Sequence, residues 1–341
     1  MDEVKDEKYL RRRKRAKKRK RKRQMVSVGT LILLIFLIVS CTNRKIHNAK
    51  LSKVELSQDM TWYIGKSQGI RTKKKMFDKK QDSIIPLLKI DSLKDHYLVK
   101  NSNHLKIASS YAYDAKKINS YIENNSYKGN DKIVFLTFDD GPNTQVTPKI
   151  LDILKKNNVH GTFFLVGKSI NESHAGVIHQ ILNDGNAIAN HSFSHDYKTL
   201  YPGRICDPQI IKKEVELTNQ RLQKILGKDF KAKVFRYPGG HMSWENTDQA
   251  DLALSSLDVQ WIDWNTLVGD AEKRSQRPTT IEGQVEYVKK NLDKNKNTKI
   301  AVVLAHDSKG KELTVEALPK VIDYFKSNGY KFGAYFKTPN L

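Results

Sequence analysis

The sequence predicts an α/β fold in which seven parallel strands close into a distorted barrel that resembles a TIM barrel. Three observations favour it. Short apolar runs alternate with amphipathic segments between residues 132 and 336, as expected for repeated strand–helix units. Gly185, Gly227 and Gly329 follow helical patterns where a left-handed cap is expected. Reactive polar residues follow the predicted strands, and seven strands suit a barrel slightly smaller than the eight-stranded type.

The predicted strands share short, apolar sequences: Ile133–Phe138, Thr162–Val166, Ala187–Asn190, Val234–Arg236, Val259–Ile262, Ile300–Ala305 and Phe332–Phe336. The segments between them have helical patterns: Pro148–Asn157, His174–Asn183, Pro208–Leu226, Asn246–Ser255, Ile281–Leu292 and Leu313–Ser327. The longest of these helices carries an apolar stripe at Ile211, Val215, Leu222 and Leu226.

The N-terminus predicts a membrane anchor. Residues 1–24 hold 14 Lys and Arg against 4 acidic residues, a large share of the chain's net charge of +24. The uncharged, largely apolar run Met25–Ser40 follows. It is shorter than the typical span of about 20 residues, but flanking basic side chains can snorkel to the interface. Basic residues hold their end in the cytoplasm, so we expect a cytoplasmic tail (1–24), a transmembrane anchor (25–41) and an extracellular remainder, with no nucleic-acid partner.

Cys41 leaves a second interpretation of this anchor open. Ile38–Cys41 is similar to a bacterial lipobox, in which the cysteine is lipidated after signal cleavage. The long basic tail is unusual for such a signal, so an uncleaved anchor is favoured. Cys206 is the other cysteine of the chain, which excludes a disulfide framework in the extracellular part. We expect it to pack as a small apolar residue.

Residues 42–130 are rich in Lys, Ser and Asn and carry no candidate chemistry. Trp62–Ile64, Ile84–Ile90 and His96–Lys100 have the pattern of short strands separated by polar turns. A small β-domain and a partly ordered spacer remain equally open. Residues 131–341 are predicted to form the catalytic domain.

The candidate catalytic residues follow predicted strands at their carboxyl ends, the face on which barrel enzymes build their active sites. They come from five strands: Asp139, Asp140, His191, His195, Arg236, Asp263 and His306. Each has an ordinary explanation when taken alone, such as a turn aspartate or a surface ion pair. Their common placement is what predicts an enzyme.

Asp140, His191 and His195 have the composition of a metal site. Two histidines four residues apart can share a metal when they lie on one helical turn. The motif differs from HExxH because Ser192 stands where Glu would be required. Two imidazoles and one carboxylate suit Zn first, with Co, Mn or Ni as alternatives.

The remaining residues complete a hydrolytic site. Asp139 is the candidate base for an attacking water, and His306 is the candidate acid for the leaving group. Arg236 and Asp263 can orient and tune them. Glycoside hydrolysis is disfavoured, because its two carboxyl groups flank the scissile bond several ångströms apart, whereas Asp139 and Asp140 are adjacent.

Five segments, in order and spacing, resemble the motifs of the NodB-type polysaccharide deacetylases, carbohydrate esterase family four: Thr137–Pro142, His191–His195, Arg236–Gly240, Asp263–Trp264 and Leu304–His306. The resemblance implies a distorted (β/α) barrel. It implies that Asp139 is the catalytic base, held by Arg236, and that His306 is the acid, tuned by Asp263. The implied metal ligands are Asp140, His191 and His195.

The resemblance also implies substrate contacts. Trp264 and Leu304 would line the acetyl pocket, and the backbone N–H of Gly239 would help to hold the oxyanion. Many family members carry an aromatic residue where Gly239 stands in this chain. We therefore expect a more open pocket wall, which bears on substrate preference.

The predicted function is metal-dependent removal of N-acetyl groups from N-acetylglucosamine units of a cell-envelope polysaccharide, with release of acetate. Peptidoglycan is the first expected substrate, an N-acetylglucosamine exopolysaccharide or chitin-type oligomer is the second, and O-acetyl removal is the third. A catalytically silent glycan-binding protein on the same fold is the alternative of a different class. The oligomeric state is left open.

Overall fold

The structure is a computed structural model, and it describes residues 96–336. The predicted basic tail, the anchor with Cys41, most of the predicted spacer and the last five residues lie outside the described part. Within the described part, none of the helices combines the length and apolar character needed to cross a membrane.

The described residues form strands and helices in alternation after a short N-terminal segment. The strands are β1 (Ala112–Asp114), β2 (Lys132–Asp139), β3 (Gly161–Leu165), β4 (Ala187–Asn190), β5 (Val234–Phe235), β6 (Gln260–Trp261), β7 (Thr266–Leu267), β8 (Ile300–His306) and β9 (Tyr330–Phe336). The helices are α1 (Ala115–Glu123), α2 (Thr147–Lys156), α3 (Ala175–Asn183), α4 (Tyr197–Leu200), α5 (Pro208–Leu226), α6 (Thr247–Ser256), α7 (Ile281–Leu292) and α8 (Glu312–Ser327).

Seven parallel strands, β2 to β8, form the wall of an incomplete barrel. β2 pairs with β8 along its whole length on one side, and β3 pairs with its C-terminal half on the other. The wall continues through β4, β5 and β6 in one direction and through β7 in the other. In the described residues no ladder joins β6 to β7, so the sheet is open there. The predicted parallel α/β fold is confirmed.

The strand assignments need correction at β1, β7 and β9; β1 was not predicted, since its three residues show no strand pattern. β7 was not predicted, because a two-residue strand carries no alternation that a sequence pattern could reveal. β9 was predicted as a barrel strand, but it pairs with Lys132–Phe135 of β2 and with β1, at the amino end of the sheet. The other strands and helices predicted between residues 133 and 327 agree with the structure to within two residues.

α5 shows how sequence signals set an element. Asp207 caps its N-terminus by accepting hydrogen bonds from the N–H groups of Gln209 and Ile210. Gly227, with φ of +94°, ends it. The predicted apolar stripe is confirmed as buried: Ile211, Val215, Leu222 and Leu226. Cys206 lies in one core cluster with Ile211 and Val215, and burial raises the pKa of its thiol to about 12, as expected for an inert packing residue.

The described segment before residue 131 belongs to the same compact unit as the barrel. β1 extends the sheet beside β9, and Ala115 and Ile118 of α1 are buried against the strand starts of β2 and β8. The buried Asn103 amide donates to the carbonyls of Ile188 and Tyr335, which ties this segment to the sheet. In the predicted strand His96–Lys100, the structure shows only an isolated bridge from Leu98 to Leu105.

Candidate active site at the carboxyl ends of the strands

β2 delivers two carboxylates to the open end of the barrel in different environments. Asp139 is the last residue of β2 and is buried, with 2% of its surface exposed. Asp140 follows it with φ of +79°, a conformation that turns the chain sharply and leaves its side chain 28% exposed. The two adjacent acids therefore point to different surroundings, as expected for residues with different tasks.

Asp140, His191 and His195 converge on one point. Asp140 Oδ1 lies 3.6 Å from His191 Nε2 and 3.2 Å from His195 Nε2. One ligand atom from each residue falls within 4.8 Å of the others. A divalent cation bound at about 2.0–2.2 Å from such atoms fits this spacing. The predicted ligand set is therefore brought together.

Hydrogen bonds fix the imidazole of His191 and the backbone of His195. His191 Nδ1 lies 2.9 Å from the Arg236 carbonyl oxygen; because a carbonyl only accepts, Nδ1 carries the proton and Nε2 keeps its lone pair. Burial lowers the pKa of His191, which favours the neutral, ligating form. The backbone of His195, with φ of +51°, is fixed by donation from its N–H to Ser192 Oγ.

The charges around Asp140 keep it ionised. Burial acts to raise its pKa, but the hydrogen bond with His195 and the charges of His191 and His306 outweigh that effect, so the net shift is downward. An ionised carboxylate is the form that binds a cation.

Glu214 on α5 supports the turn between the two histidines and was missed by the sequence analysis. Its Oε2 accepts hydrogen bonds from the N–H groups of Phe193 and Ser194 and from the Ser194 hydroxyl. Glu214 is buried although it is acidic. A glutamate on the apolar stripe of a helix is the signal that could have revealed it.

Arg236 holds Asp139, as predicted. Its Nη1 donates to Asp139 Oδ1 and to Thr137 Oγ1, each at 2.8 Å, and the guanidinium is fully buried. Its other donors reach the carbonyls of Ile262 and Asp263, and its Cζ lies 4.1 Å from the Phe164 ring centroid. Because an unpaired buried charge is costly, Arg236 needs these partners, and they hold the Asp139 side chain in place through its Oδ1.

The acid side of the site differs from the prediction. His306 is the register partner of Asp139 on the neighbouring strand β8, but its Nδ1 bonds Asp270 Oδ1 at 2.7 Å. Burial opposes protonation, yet Asp270 outweighs it and raises the pKa of His306. Asp270 also accepts from the His306 N–H and the Thr314 hydroxyl.

The pairing of Asp263 with His306 is therefore corrected. Both carboxylate oxygens of Asp263 accept from the His241 N–H instead, at 3.1 and 2.9 Å. Burial raises the pKa of Asp263 to about 6. Asp263 thus fixes the loop that follows β5, Arg236–His241, which we call the third-motif loop. The chain continues from Asp263 through β7 to Asp270. The strand β7 lies between Asp263 and Asp270 and is too short to be predicted from sequence. For this reason Asp263 was predicted as the partner of His306 in place of Asp270.

The predicted pocket residues lie beside the site. Trp264 lies beneath the third-motif loop, 5.5 Å from Arg236 Cζ, and an added Cβ on Gly240 would stand 2.9 Å from its ring. Leu304 is buried on β8, two residues before His306, and so on the same side of the strand. Their role in an acetyl pocket stays a prediction.

Gly239 is required by its surroundings. Its φ is +82°, and an added Cβ would stand 3.0 Å from Trp244 Cζ2 and 3.2 Å from the Tyr197 hydroxyl oxygen. The expectation of a more open wall needs correction, because two aromatic side chains from other parts of the chain stand beside this glycine.

Comparisons with known proteins agree with this site. The sequence model of the polysaccharide deacetylase family matches residues 126–260. The chain is 33% identical over 209 residues to the putative polysaccharide deacetylase YheN of Bacillus subtilis, across 61% of this chain and 68% of the relative. It is 30% identical over 210 residues to a peptidoglycan-N-acetylglucosamine deacetylase of Bacillus cereus, across 60% and 86%.

Other relatives are matched over less of their length. The match spans 30% of a bifunctional xylanase/deacetylase of Pseudobutyrivibrio xylanivorans, at 31% identity across 60% of this chain. It spans 65% of another Bacillus cereus peptidoglycan-N-acetylglucosamine deacetylase, at 32% identity across 58% of this chain. Among solved structures, a Streptococcus mutans CE4 esterase is 41% identical with a TM-score of 0.67, across 71% of this chain and 99% of that one. The chain therefore belongs to the polysaccharide deacetylase family, carbohydrate esterase family four of the NodB type.

Proposed function

We propose that this protein is a metal-dependent deacetylase that hydrolyses the N-acetyl groups of N-acetylglucosamine units in a cell-envelope polysaccharide. One observation carries the proposal. Asp140, His191 and His195 meet at one point, with the Arg236-bound Asp139 and the Asp270-bound His306 on neighbouring strands beside them. A hydrolase needs a base, an acid and an electrophilic centre in reach of one bond.

The ligand set supports Zn²⁺ first, with Co²⁺, Mn²⁺ or Ni²⁺ as alternatives. When bound, such an ion supplies Lewis acidity that activates a water and polarises the acetyl carbonyl. The chain's own contribution is to hold His191 and Asp140 in their binding protonation states, through the His191–Arg236 hydrogen bond and the charges around Asp140, and to place His195 beside them.

Asp139 and His306 move the protons. Asp139 accepts a proton from the water that attacks the acetyl carbonyl carbon, and Arg236 holds the carboxylate in place for this. His306 then donates a proton to the amide nitrogen as the carbon–nitrogen bond breaks. The products are acetate and a free amine. Asp270 stabilises the protonated imidazole that this step requires.

Peptidoglycan is the substrate that we favour. Two Bacillus cereus relatives are named peptidoglycan-N-acetylglucosamine deacetylases, and the N-terminal sequence suits a protein held at the outer face of the membrane, through a transmembrane segment or a lipid on Cys41. Ester hydrolysis is the second candidate, favoured by the similarity to a CE4 esterase. An N-acetylglucosamine exopolysaccharide is a further alternative for the same chemistry.

The test is acetate release by the purified full chain. The protein is treated with chelator and reloaded with Zn²⁺, Co²⁺, Ni²⁺ or Mn²⁺, then incubated with chitin oligomers, purified peptidoglycan and acetylated xylan. Metal-dependent release from the first two supports N-deacetylation. Release from xylan alone supports the esterase. Glycan binding without any release would support a silent binding protein and contradict the proposal.

A further inference from the structure

The half-exposed Tyr197 stands between the metal-ligand cluster and the third-motif loop. It begins α4, two residues after His195, and 45% of its surface is exposed. Its ring centroid lies 5.6 Å from that of His195 and 5.1 Å from that of Trp244. On the other side, its hydroxyl oxygen would stand 3.2 Å from a Cβ on Gly239, next to the Trp244 ring at 3.0 Å. Tyr197 therefore borders both the metal ligands and the glycine whose N–H is expected to face the reacting carbonyl.

The ring of Tyr197 lies against two aromatic side chains, Tyr201 and Trp244, at the start of a capped helix. Asp196 caps the short helix by accepting from the Lys198 N–H and the Thr199 hydroxyl. The neighbouring Trp244 is itself fixed, since its indole N–H donates to the Pro238 carbonyl and its ring stacks on Tyr201 with centroids 3.9 Å apart. A rigid aromatic side chain loses little conformational entropy when a ligand packs against it.

The hydroxyl of Tyr197 is available to a ligand. Within residues 96–336 it has no hydrogen-bond partner, whereas the buried Tyr237 hydroxyl, for example, donates to Asp251. A partly exposed ring with an unengaged polar end suits a sugar, which presents C–H groups on one face and hydroxyls at its rim. Because Gly239 carries no side chain, the space beside the third-motif loop is open to the side chain of Tyr197.

We propose that Tyr197 is a specificity-determining residue that contacts the pyranose ring carrying the reacting acetamido group, with its hydroxyl hydrogen-bonded to a hydroxyl of that sugar. This inference rests on the proposed function and adds the residue that selects a sugar over a small acetyl compound. A site built to hydrogen-bond a substrate hydroxyl discriminates against compounds that lack it. In this chain, the aromatic wall that many family members build at the position of Gly239 is supplied from α4.

The experiment compares two substrates in the full-length, metal-loaded protein: an N-acetylglucosamine tetramer and methyl acetate, which has no sugar ring. We expect Tyr197→Phe to lower kcat/KM for the tetramer about three- to tenfold, mainly through KM, as the loss of one hydrogen bond implies. Tyr197→Ala should lower it further, because the ring contact is lost as well. Neither variant should change kcat/KM for methyl acetate by more than about twofold, nor the metal content.

Tyr97→Phe is the matched control, because Tyr97 is also an exposed tyrosine but lies in the N-terminal segment of the described chain. It should match the wild type on both substrates. A Tyr197→Phe variant that keeps its tetramer kcat/KM, or that loses activity equally on both substrates, or that loses metal, would overturn this inference alone. A wild type inactive on both substrates with every metal would overturn the proposed function and the inference with it.

Discussion

The two ends of the barrel differ in the side chains that they bury. At the carboxyl ends of the strands, Asp139, His191 and Arg236 are buried polar groups, each satisfied by specific partners. At the amino ends, α1 covers an apolar cluster that includes Ile118, Phe135 and Ile300.

Backbone conformation adds to the constraint at the carboxyl end. Asp140, Ser192 and His195 there all have positive φ without being glycine, a costly conformation that surrounding structure must enforce. Such residues also occur at the amino end, at Asn158 before β3 and Asp258 before β6, so positive φ alone does not distinguish the two ends. We infer from the buried polar groups that the carboxyl end gives up stability for chemistry, and that the apolar amino end contributes stability.

The largest effect is expected at the base. Asp139→Asn should lower kcat for acetate release by about 10²–10⁴-fold, the usual contribution of a general base, because an amide cannot accept the proton. Metal content should stay near that of the wild type, since Asp139 is not one of the three clustered ligands. Acetate assays and metal analysis of the same preparation check both expectations.

Asp152→Asn, an exposed acid on α2, is the matched control and should behave like the wild type. If Asp139→Asn retained full turnover, Asp139 would not be the base. The proposed division of roles between Asp139 as base and Asp140 as metal ligand would then be wrong.

The amino end should respond in the opposite way. Ile118→Ala leaves a cavity beneath the barrel at a position that is only 2% exposed. We expect a loss of about 2–4 kcal/mol in the free energy of unfolding and an unchanged kcat/KM per folded molecule. Denaturant titration and an assay at low temperature check this.

Leu252→Ala gives the comparison for that loss, because Leu252 is 64% exposed and should change stability by less than about 0.5 kcal/mol. A loss of kcat/KM in folded Ile118→Ala protein would show that the two ends are not independent.

A pH profile separates the corrected acid partner from the predicted one. Asp270 raises the pKa of His306, and His306 must be protonated to act as the acid. Asp270→Asn should therefore lower that pKa and move the alkaline limb of kcat/KM to lower pH, by on the order of one unit. Asp263→Asn, measured alongside, should leave this limb near its wild-type position. The reverse result would restore Asp263 as the partner of His306.

The sequence predicted most of the site because catalytic residues of a parallel sheet follow strand ends, and strand ends are visible as changes from apolar to polar residues. Asp140, His191 and His195 were found in this way, and their convergence follows from the parallel pairing of β2, β3 and β4. The pairing of Arg236 with Asp139 across the barrel was implied by the family resemblance alone.

What the sequence could not predict depends on short or distant connections. β7 is too short to show a pattern, so Asp263 was chosen over Asp270 as the partner of His306. Glu214 lies far along the chain from the turn that it supports. Tyr197 lies beside Gly239 because α4 packs against the third-motif loop. The sequence around Gly239 contains no pattern that predicts this tertiary contact.

The smallest effect tests whether the carboxyl end stores an unfavourable charge. Asp307 is fully buried, and burial raises its pKa to about 7. Because this folded-state pKa is above the unfolded value, the stability contributed by its protonated form is lost as pH rises from about 4 to about 7. Its Oδ2 accepts from the Thr147 hydroxyl, and its Oδ1 has no partner among the described groups. An amide can therefore replace the carboxyl, and Asp307→Asn should raise the Tm more at pH 8 than at pH 5, by a difference of at least about 2 °C. A gain of equal size at both pH values would mean that packing, and not the charge of Asp307, limits stability at this end of the barrel.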